Sequence, residues 1–348
     1  MTMLAGIRIA VADSVDEVSL AALRAAGAVI VATAAPKTGC AVADGEADIA
    51  VTTRAPASAV CITPTAAALR APVSVLASDL ALANLAMTVL AAHASGVPWP
   101  VDVRLATPAD PVVGVVADPG SPGAFDKVTT ALTAAGARVL AVEIDGSVPL
   151  NIPDGLDAII TLACPTVIDD LCGVTVSVGG SAVTVRARAF DDAVAMDVAA
   201  SITDGQAAQD VWPLAAANPV ELVVFGAHLR GGPLAHQLTD LGSRWVGEIT
   251  TAPRYRMTAL ATVPAKPAVT RVPDTAPGAA LYGHRWLMSA AALGRFLAAL
   301  PAPMQLGKVE FDDGTWRTAF GCDGAAATGR DISGYGSWPA AVAAGAVD

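Results

Sequence analysis

The stretch LVVFGAHLRGGPLAHQL, residues 222–238, is the starting point for interpreting the rest of the chain. A short apolar run typical of a β-strand ends at Gly226, and a histidine, an arginine and two glycines follow before the chain resumes at Pro233 with helix-like spacing. Glycines after a strand let backbone N–H groups approach an anion closely, and a nearby histidine can move protons near neutral pH. The pattern indicates a pocket for a small carboxylated substrate. On the pattern alone, a structural histidine at a strand end is the commoner explanation of His228.

The composition describes a large, alanine-rich chain without a segment typical of a membrane span. The chain has 348 residues, which predicts two or three domains, and 54% of them are hydrophobic. The most apolar window, residues 71–94, contains Asp79, Asn84 and His93, which indicate a buried helix. The first twenty residues lack a signal-peptide pattern, and the five cysteines have no metal-ligand spacing. We therefore expect a cytoplasmic protein with reduced thiols, no membrane partner, no metal site and no cofactor.

The charged residues are unevenly distributed. Residues 1–220 contain 10 Lys and Arg against 22 Asp and Glu, and residues 221–348 contain 11 against 10, which together give the net charge of −11. An acidic first part, with no basic patch in the second, argues against nucleic acid as a partner. Three of the four histidines and all three tyrosines follow residue 220. Residues able to bind a small anion and move a proton are thus concentrated in the C-terminal part.

Two β-α-β patterns in the first 200 residues predict a sheet with helices on its faces. The first pattern covers residues 4–33 and contains a helix that ends at Gly27, and the second covers residues 112–144. Between them, the spacing predicts a long alanine-rich helix at residues 75–92. The fold class expected for this part is α/β.

Residues 205–219 are small or polar and predict a linker between a domain at residues 1–204 and a second domain at residues 220–348. The second domain alternates short strands and turns with one clear helix at residues 289–300. Many short strands with few helices favour a small closed or half-closed α+β barrel.

The C-terminal part resembles the C-terminal domain of allophanate hydrolases. In residues 222–238 it follows the family's pattern Gly-Ala-His-(Leu/Met)-x-Gly-x-Pro-Leu-x-x-Gln-Leu. Further motifs follow in the same order at residues 253–260, 266–272, 301–310, 313–316 and 331–338. The resemblance implies a fold similar to γ-glutamylcyclotransferases, whose substrate loop also follows the first strand.

The first 200 residues resemble, more faintly, the amidase-signature enzymes, for example at residues 4–16 and 170–176. In that family the position of Ala12 is held by the catalytic lysine, and a Gly- and Ser-rich run supplies the nucleophilic serine and its partner serine. The interval at residues 36–65 is too short for that run. Such a serine is deprotonated through the second serine by a neutral lysine. The resemblance therefore implies a shortened amidase-signature-like mixed sheet with flanking helices, whose amidase site is lost.

The resemblance also implies a reaction for the C-terminal domain. In bifunctional allophanate hydrolases one half releases ammonia from allophanate, and the other decarboxylates the resulting N-carboxycarbamate. Loss of carbon dioxide requires protonation of the nitrogen left behind, so a general acid must lie beside it. His228 matches the family's invariant histidine and is the predicted catalytic residue. The residues predicted to bind the small anionic, carboxylated substrate are Gly226, Arg230, Gly231, Gly232, Gln237, Tyr255, Arg271 and Tyr335.

Two departures from the family pattern keep other functions open. Ala235 replaces a polar residue, and His284 stands where the family has an acidic residue in the strand before the helix. We expect the chain to form a homodimer through its N-terminal domain, and one alternative is that it is a non-catalytic dimerising or regulatory subunit. Another alternative is a γ-glutamylcyclotransferase-like reaction, which predicts an acidic general base in the pocket, with Glu248 and Glu310 as candidates.

Overall fold

The computed structural model divides the chain into two compact units, Met1–Asn218 and Pro219–Asp348. Each unit is built around its own sheet or sheets. The structure describes residues 3–31, 42, 45–52, 60–70, 72–94, 96–116, 122–143, 151–162, 171–203, 210–263 and 265–347.

The first unit contains a ten-stranded mixed sheet. Its strands are β1 (Arg8–Val11), β2 (Val29–Val31), β3 (Ile49–Thr52), β4 (Val60–Thr63), β5 (Ser74–Ala77), β6 (Val112–Val116), β7 (Arg138–Val142), β8 (Ala158–Thr161), β9 (Leu171–Val178) and β10 (Ser181–Arg188). They lie in the order β2-β1-β3-β5-β4-β9-β10-β8-β6-β7. The pairs are parallel at both ends of the sheet and antiparallel in the middle. The two predicted β-α-β patterns form the two parallel ends.

The helices described in this unit are α1 (Glu17–Ala25), α2 (Leu80–His93), α3 (Pro122–Ala134) and α4 (Asp192–Ser201). The Asp16 carboxylate caps α1 by accepting hydrogen bonds from the backbone N–H groups of Val18 and Ser19, both at 3.0 Å. Gly27 follows α1 with φ +92, a left-handed conformation that favours glycine. In the part of the chain that the structure describes, no helix is both long and apolar enough to cross a membrane.

The prediction of a helix at residues 75–92 is wrong for the first turn. Ser74–Ala77 form the buried strand β5, which pairs with β3 and β4 on either side. The helix begins at Leu80 because the Asp79 carboxylate caps it by accepting from the backbone N–H of Leu82 at 2.8 Å. A short apolar run has no periodicity that separates a buried strand from a buried helix.

Several buried or partly buried polar groups of the first unit are paired with each other. The Arg104 guanidinium donates to the carboxylates of Asp157 and Asp191. The buried Asp192 carboxylate accepts from the backbone N–H of Thr65 at 2.9 Å and from its hydroxyl at 2.7 Å. These contacts join the start of α4 to residues far away in the chain, so their role is structural.

The described part of the predicted linker packs into the first unit. Trp212 begins a 3-10 turn, Trp212–Ala215, and is fully buried. Its backbone N–H donates to the side-chain oxygen of Asn84 at 2.8 Å, and its ring centroid lies 5.8 Å from that of Trp99. Because burying an aromatic ring of this size stabilises a fold, these residues belong to the packed unit. Residues 205–209 of the predicted linker lie outside the described residues.

The second unit contains a five-stranded and a three-stranded sheet. The strands are β11 (Val220–Val224), β12 (Arg244–Thr250), β13 (Tyr255–Leu260), β14 (Lys266–Arg271), β15 (Tyr282–Met288), β16 (Met304–Glu310), β17 (Trp316–Cys322) and β18 (Arg330–Asp331). The orders are β12-β15-β11-β17-β16 and β14-β13-β18. The described helices are α5 (His236–Thr239), α6 (Ala290–Ala298) and α7 (Trp338–Ala343).

The described strands of the second unit do not form a continuous closed barrel. The two edge strands of the larger sheet, β12 and β16, meet just beyond their ends at a bridge between Thr251 and Phe311. There the Ala252 N–H donates to the Glu310 carbonyl, and the Asp312 N–H donates to the Thr250 carbonyl, both at 3.0 Å. The sheet is thus closed at one end only.

Candidate functional site

A cavity of about 570 Å³ lies entirely within the second unit, beside the loop that follows β11. Its wall contains the polar side chains of His228, Gln237, Asp240, Lys266 and Arg295. Most of the remaining wall is apolar, including Phe296, Phe320, Leu241, Leu300, Pro301 and Met304. A mostly apolar cavity with a few convergent polar groups is the usual form of a small-molecule site.

The backbone of the loop at residues 225–235 passes very close to other atoms at two positions. A Cβ on Gly226 would lie 2.4 Å from the Pro267 ring, and a Cβ on Gly232 would lie 2.5 Å from the Ala227 carbonyl oxygen. Neither distance is sterically possible, so both positions require glycine here. Gly231 has φ +78, which also favours glycine. These glycines allow the loop to turn tightly beside the cavity.

Two backbone N–H groups of this loop already donate to carbonyl groups of the loop itself, although a bound anion would need such donors. The Gly232 N–H donates to the Leu229 carbonyl at 2.7 Å, and the Leu234 N–H donates to the Ala227 carbonyl at 2.9 Å. The helix that follows, α5, has four residues and so offers little dipole. The anion cradle expected from backbone N–H groups is therefore weaker at Gly232 than the sequence predicts.

His228 lies in the cavity wall, half-buried between two aromatic rings. Its ring is stacked on Phe320, with centroids 5.3 Å apart, and packs edge-on against Phe296, also at 5.3 Å. Its Nε2 is hydrogen-bonded to the Gln237 side-chain oxygen at 2.9 Å. Since Gln237 Oε1 can only accept, this contact places the proton on Nε2. The orientation of the imidazole is thus fixed by three neighbours.

The surroundings of His228 lower its pKa below the usual value. Burial is the main cause; the hydrogen bond to Gln237 opposes it, and the nearby charge of Lys266 adds to it. Without a ligand the imidazole is therefore mainly neutral near pH 7. An anion bound beside it would favour the imidazolium, the form that donates a proton.

Lys266 and Arg295 are the two cationic side chains of the cavity wall among the described residues, and sequence reasoning did not select either of them. Lys266 is half-buried at the start of β14, and Arg295 is exposed on α6, next to Phe296. The only signal in the sequence was that Lys266 begins one of the ordered motifs. The sequence does not show that β14 lies beside the loop that follows β11.

Arg230, which the sequence predicts in the substrate site, belongs to a different cluster. Its guanidinium lies over the Trp245 ring, 4.4 Å from the centroid, and its backbone N–H donates to His284 Nδ1 at 2.8 Å. His284 Nε2 is hydrogen-bonded to the Tyr282 hydroxyl at 2.8 Å. Burial and a hydrogen bond to Glu248 raise the pKa of Tyr282 to about 12. We call Arg230, Trp245, Glu248, Tyr282 and His284 the β15 cluster.

The β15 cluster has a defined direction of hydrogen bonding. Because His284 Nδ1 accepts from the Arg230 N–H, the proton of a neutral imidazole is on Nε2 and is donated to the Tyr282 oxygen. This chain of bonds begins at the Arg230 N–H, on the loop that also carries His228, so it holds that loop against β15.

Three of the other predicted residues lie outside the wall of the cavity. Tyr255 is buried, and its hydroxyl accepts the backbone N–H of Glu310 at 2.7 Å. Arg271 donates to the Glu310 carboxylate at 2.9 Å and lies over the Trp316 ring. Tyr335 is exposed in a 3-10 turn. Of the nine predicted residues, the structure brings Gly226, His228 and Gln237 together at the cavity.

The first unit contains Ala12, the position that the amidase-signature resemblance assigns to a catalytic lysine. Ala12 follows β1, and its backbone N–H donates to the Val51 carbonyl at 3.0 Å. Much of the interval at residues 36–65 lies outside the described residues. Among the described residues of both units, no group of three or more His, Cys, Asp or Glu is placed to hold a metal ion.

Comparison with protein families and sequences identifies similarity in the second unit. Residues 220–343 match the model of the allophanate hydrolase C-terminal domain. The urea amidolyases of Lachancea kluyveri and Saccharomyces cerevisiae are each 32% identical over 126 residues. Each match covers 35% of this chain and 7% of the relative, so the chain spans a small part of these longer proteins.

Comparison with solved structures extends the similarity to both units. The allophanate hydrolase of Kluyveromyces lactis superimposes with a TM-score of 0.73 and 17% identity, covering 98% of this chain and 88% of that one. The urea amidolyase of the same organism gives a TM-score of 0.73, covering 98% of this chain and 33% of that one. At this identity the likeness shows the fold. It confirms the mixed α/β fold class, and the family match shows similarity to the allophanate hydrolase C-terminal domain at residues 220–343.

Proposed function

We propose that the second unit decarboxylates N-carboxycarbamate, with His228 as the general acid, in an allophanate hydrolase-related step of urea metabolism. The observation that carries this proposal is the position of His228. It is oriented by Gln237, Phe296 and Phe320 in the wall of a cavity that also contains Lys266 and Arg295.

The charges of the cavity are suited to a carboxylated ligand that takes up a proton. With His228 neutral, the wall carries the positive charges of Lys266 and Arg295 and the negative charge of Asp240. N-carboxycarbamate carries two carboxylates, so protonation of His228 would bring the cavity close to charge balance. The resulting imidazolium could then donate its proton to the nitrogen as carbon dioxide leaves.

The first unit, in this proposal, does not hydrolyse amides. The position of Ala12 is that of the catalytic lysine in the amidase-signature resemblance, and alanine cannot accept a proton. The substrate would therefore be supplied by a separate amidase. Expected activity is thus limited to the decarboxylation step.

The cyclotransferase alternative has less support. It predicts an acidic general base beside the substrate, with Glu248 or Glu310 in that role. Neither lies in the wall of the His228 cavity: Glu248 belongs to the β15 cluster, and Glu310 pairs with Arg271. Asp240 lines the cavity but is exposed.

The test uses the whole purified chain in two assays. In the first, allophanate is added alone and ammonia is measured. In the second, a working allophanate hydrolase amidase generates N-carboxycarbamate in place, and carbon dioxide release is followed. We expect no ammonia in the first assay and accelerated carbon dioxide release in the second.

The variants distinguish the chemistry from a structural effect. His228→Ala should abolish the acceleration, whereas His93→Ala, at an exposed histidine on α2 of the first unit, should leave it unchanged. Ammonia from allophanate alone would contradict the loss of the amidase site. If His228→Ala and wild type release carbon dioxide equally, the proposed role of His228 is wrong, and a non-catalytic subunit becomes the better explanation.

A further inference from the structure

We infer that the His228 cavity also binds a larger monocarboxylate with an apolar body, of the arylalkanoate class. The carboxylate would lie near Lys266 and Arg295, and the apolar body among Phe296, Phe320 and the residues that follow α6. This inference goes beyond the proposed decarboxylation, because it concerns a ligand which that reaction does not use.

The first reason is the size of the cavity. Its volume is about 570 Å³, whereas an apolar cavity of about 150 Å³ is large enough for benzene. N-carboxycarbamate has about seven non-hydrogen atoms and is therefore close to benzene in size. Roughly 400 Å³ would remain empty around it, which is within the range of pockets for much larger ligands.

The second reason is the chemistry of that remaining space. Phe296 contacts His228, and the lining continues past the end of α6 through Ala299, Leu300 and Pro301 to Met304. These side chains offer no hydrogen bonds to a carboxylate or a carbamate. Filling the space with an apolar group would remove apolar surface from water on both partners.

The third reason is the charge of the wall. Lys266 and Arg295 supply two positive charges, and Asp240 supplies one negative charge. With His228 neutral, one positive charge is left over, which a single carboxylate balances. A dicarboxylate needs a second positive charge, and protonation of His228 would provide it. The two ligand classes should therefore differ in proton uptake.

The experiment is isothermal titration calorimetry of the whole chain with phenylbutyrate and with malonate. Malonate replaces the nitrogen of N-carboxycarbamate with a methylene group and matches it in size. We expect phenylbutyrate to bind at least about tenfold more tightly than malonate. Repeating the titrations in buffers of different ionisation enthalpy should reveal proton uptake with malonate and none with phenylbutyrate. Phenylbutyramide, which lacks the charge, should bind more weakly than phenylbutyrate.

Two neighbouring alanines provide a matched pair of variants. Both are exposed, but Ala299 lines the cavity, whereas Ala298, the last residue of α6, does not. Ala299→Phe should reduce the preference for phenylbutyrate over malonate at least about fivefold by occupying the apolar space. Ala298→Phe should leave the preference unchanged, and thermal melting of both variants reports whether they fold.

Several outcomes would overturn the inference. They are malonate binding as tightly as phenylbutyrate, no binding of either compound, and equal effects of the two alanine substitutions. Failure of the coupled carbon dioxide assay with tight phenylbutyrate binding would remove the proposed reaction and keep this inference. His228-dependent carbon dioxide release without phenylbutyrate binding would do the reverse.

Discussion

The two units differ in the hydrogen bonding of their buried and partly buried titratable groups. In the first unit, Arg104 lies between two carboxylates, and Asp192 is hydrogen-bonded twice to Thr65. In the second unit, His228 faces a cavity, and one of its two ring nitrogens has a hydrogen-bond partner among the described residues. A group whose bonding capacity is used internally stabilises a fold but has little left for a ligand. Of these groups, His228 is therefore the one with hydrogen-bonding capacity left for a ligand.

The same difference predicts opposite responses to pH. Burial raises the pKa of Asp192 to about 7, so the folded first unit favours its protonated form. Burial lowers the pKa of His228, so the folded second unit favours its neutral form. Deprotonation of Asp192 therefore lowers the stability of the first unit as pH rises, and protonation of His228 lowers that of the second as pH falls.

The largest expected effect comes from Arg104→Met. The substitution leaves the carboxylates of Asp157 and Asp191, which are mostly buried, without their shared cation. Because Arg104 itself is 25% exposed, we expect a loss toward the lower end for a buried pair, about 3 kcal/mol in the free energy of unfolding of the first unit. Native-state hydrogen exchange in urea, measured separately for peptides of each unit, tests this.

The control for this substitution is Arg8→Met. Arg8 makes a single exposed ion pair with Asp48, so its loss should leave hydrogen exchange unchanged. Equal effects of the two substitutions would mean that the Arg104 contacts are no more than surface pairs.

Asp192→Asn should remove a pH dependence of the first unit's free energy of unfolding. An unfolded aspartate titrates near 3.8 and the folded Asp192 at about 7, so wild-type stability falls between these values as pH rises. The fall due to this residue should be about 2 kcal/mol, allowing for relaxation around the buried carboxylate. Urea unfolding from pH 4 to pH 8 checks it. A constant difference between variant and wild type at every pH would show that Asp192 is ionised throughout.

His228 should give the second unit a smaller pH dependence of stability, with the opposite sign. Its folded pKa lies below 6.5, so the unit loses stability as pH falls below 6.5 and through the folded pKa. NMR titration of the imidazole should give a midpoint below 6.5. Phe320→Ala, which admits water to one face of the ring, should move the midpoint upward. An unchanged midpoint would mean that burial by Phe320 is not the cause.

The smallest expected effect is that of Tyr282→Phe. Removing the hydroxyl leaves His284 Nε2 without its partner and weakens the hold of His284 on the Arg230 N–H. We expect a loss of about 1 kcal/mol or less, seen as faster hydrogen exchange of the Arg230 amide. Tyr335→Phe, at an exposed tyrosine outside the cluster, is the control. Unchanged exchange in Tyr282→Phe would show that the loop is held by its own turns.

Local signals in the sequence predicted much of the fold. Gly27 and the spacing around it indicated the first β-α-β unit, and the second predicted pattern, at residues 112–144, begins where β6 begins. The strand β5 was mistaken for helix because both of its faces are buried, which removes the alternation of apolar and polar residues. The strands β13 and β14 were recognised as motifs but not as paired strands.

In the candidate site, the conformation of the loop at residues 225–235 follows from local sequence. Gly226 and Gly232 are needed where the backbone passes close to other atoms, and His228 and Gln237 lie in one short stretch, so their proximity follows from local geometry. The distant residues that join them are set by long-range packing. Pairing of the strands brings Lys266 to the cavity, the packing of α6 adds Arg295 and Phe296, and Arg271 is directed to Glu310 instead. Contacts between residues far apart depend on strand order and register, and a single sequence does not encode these in any local pattern.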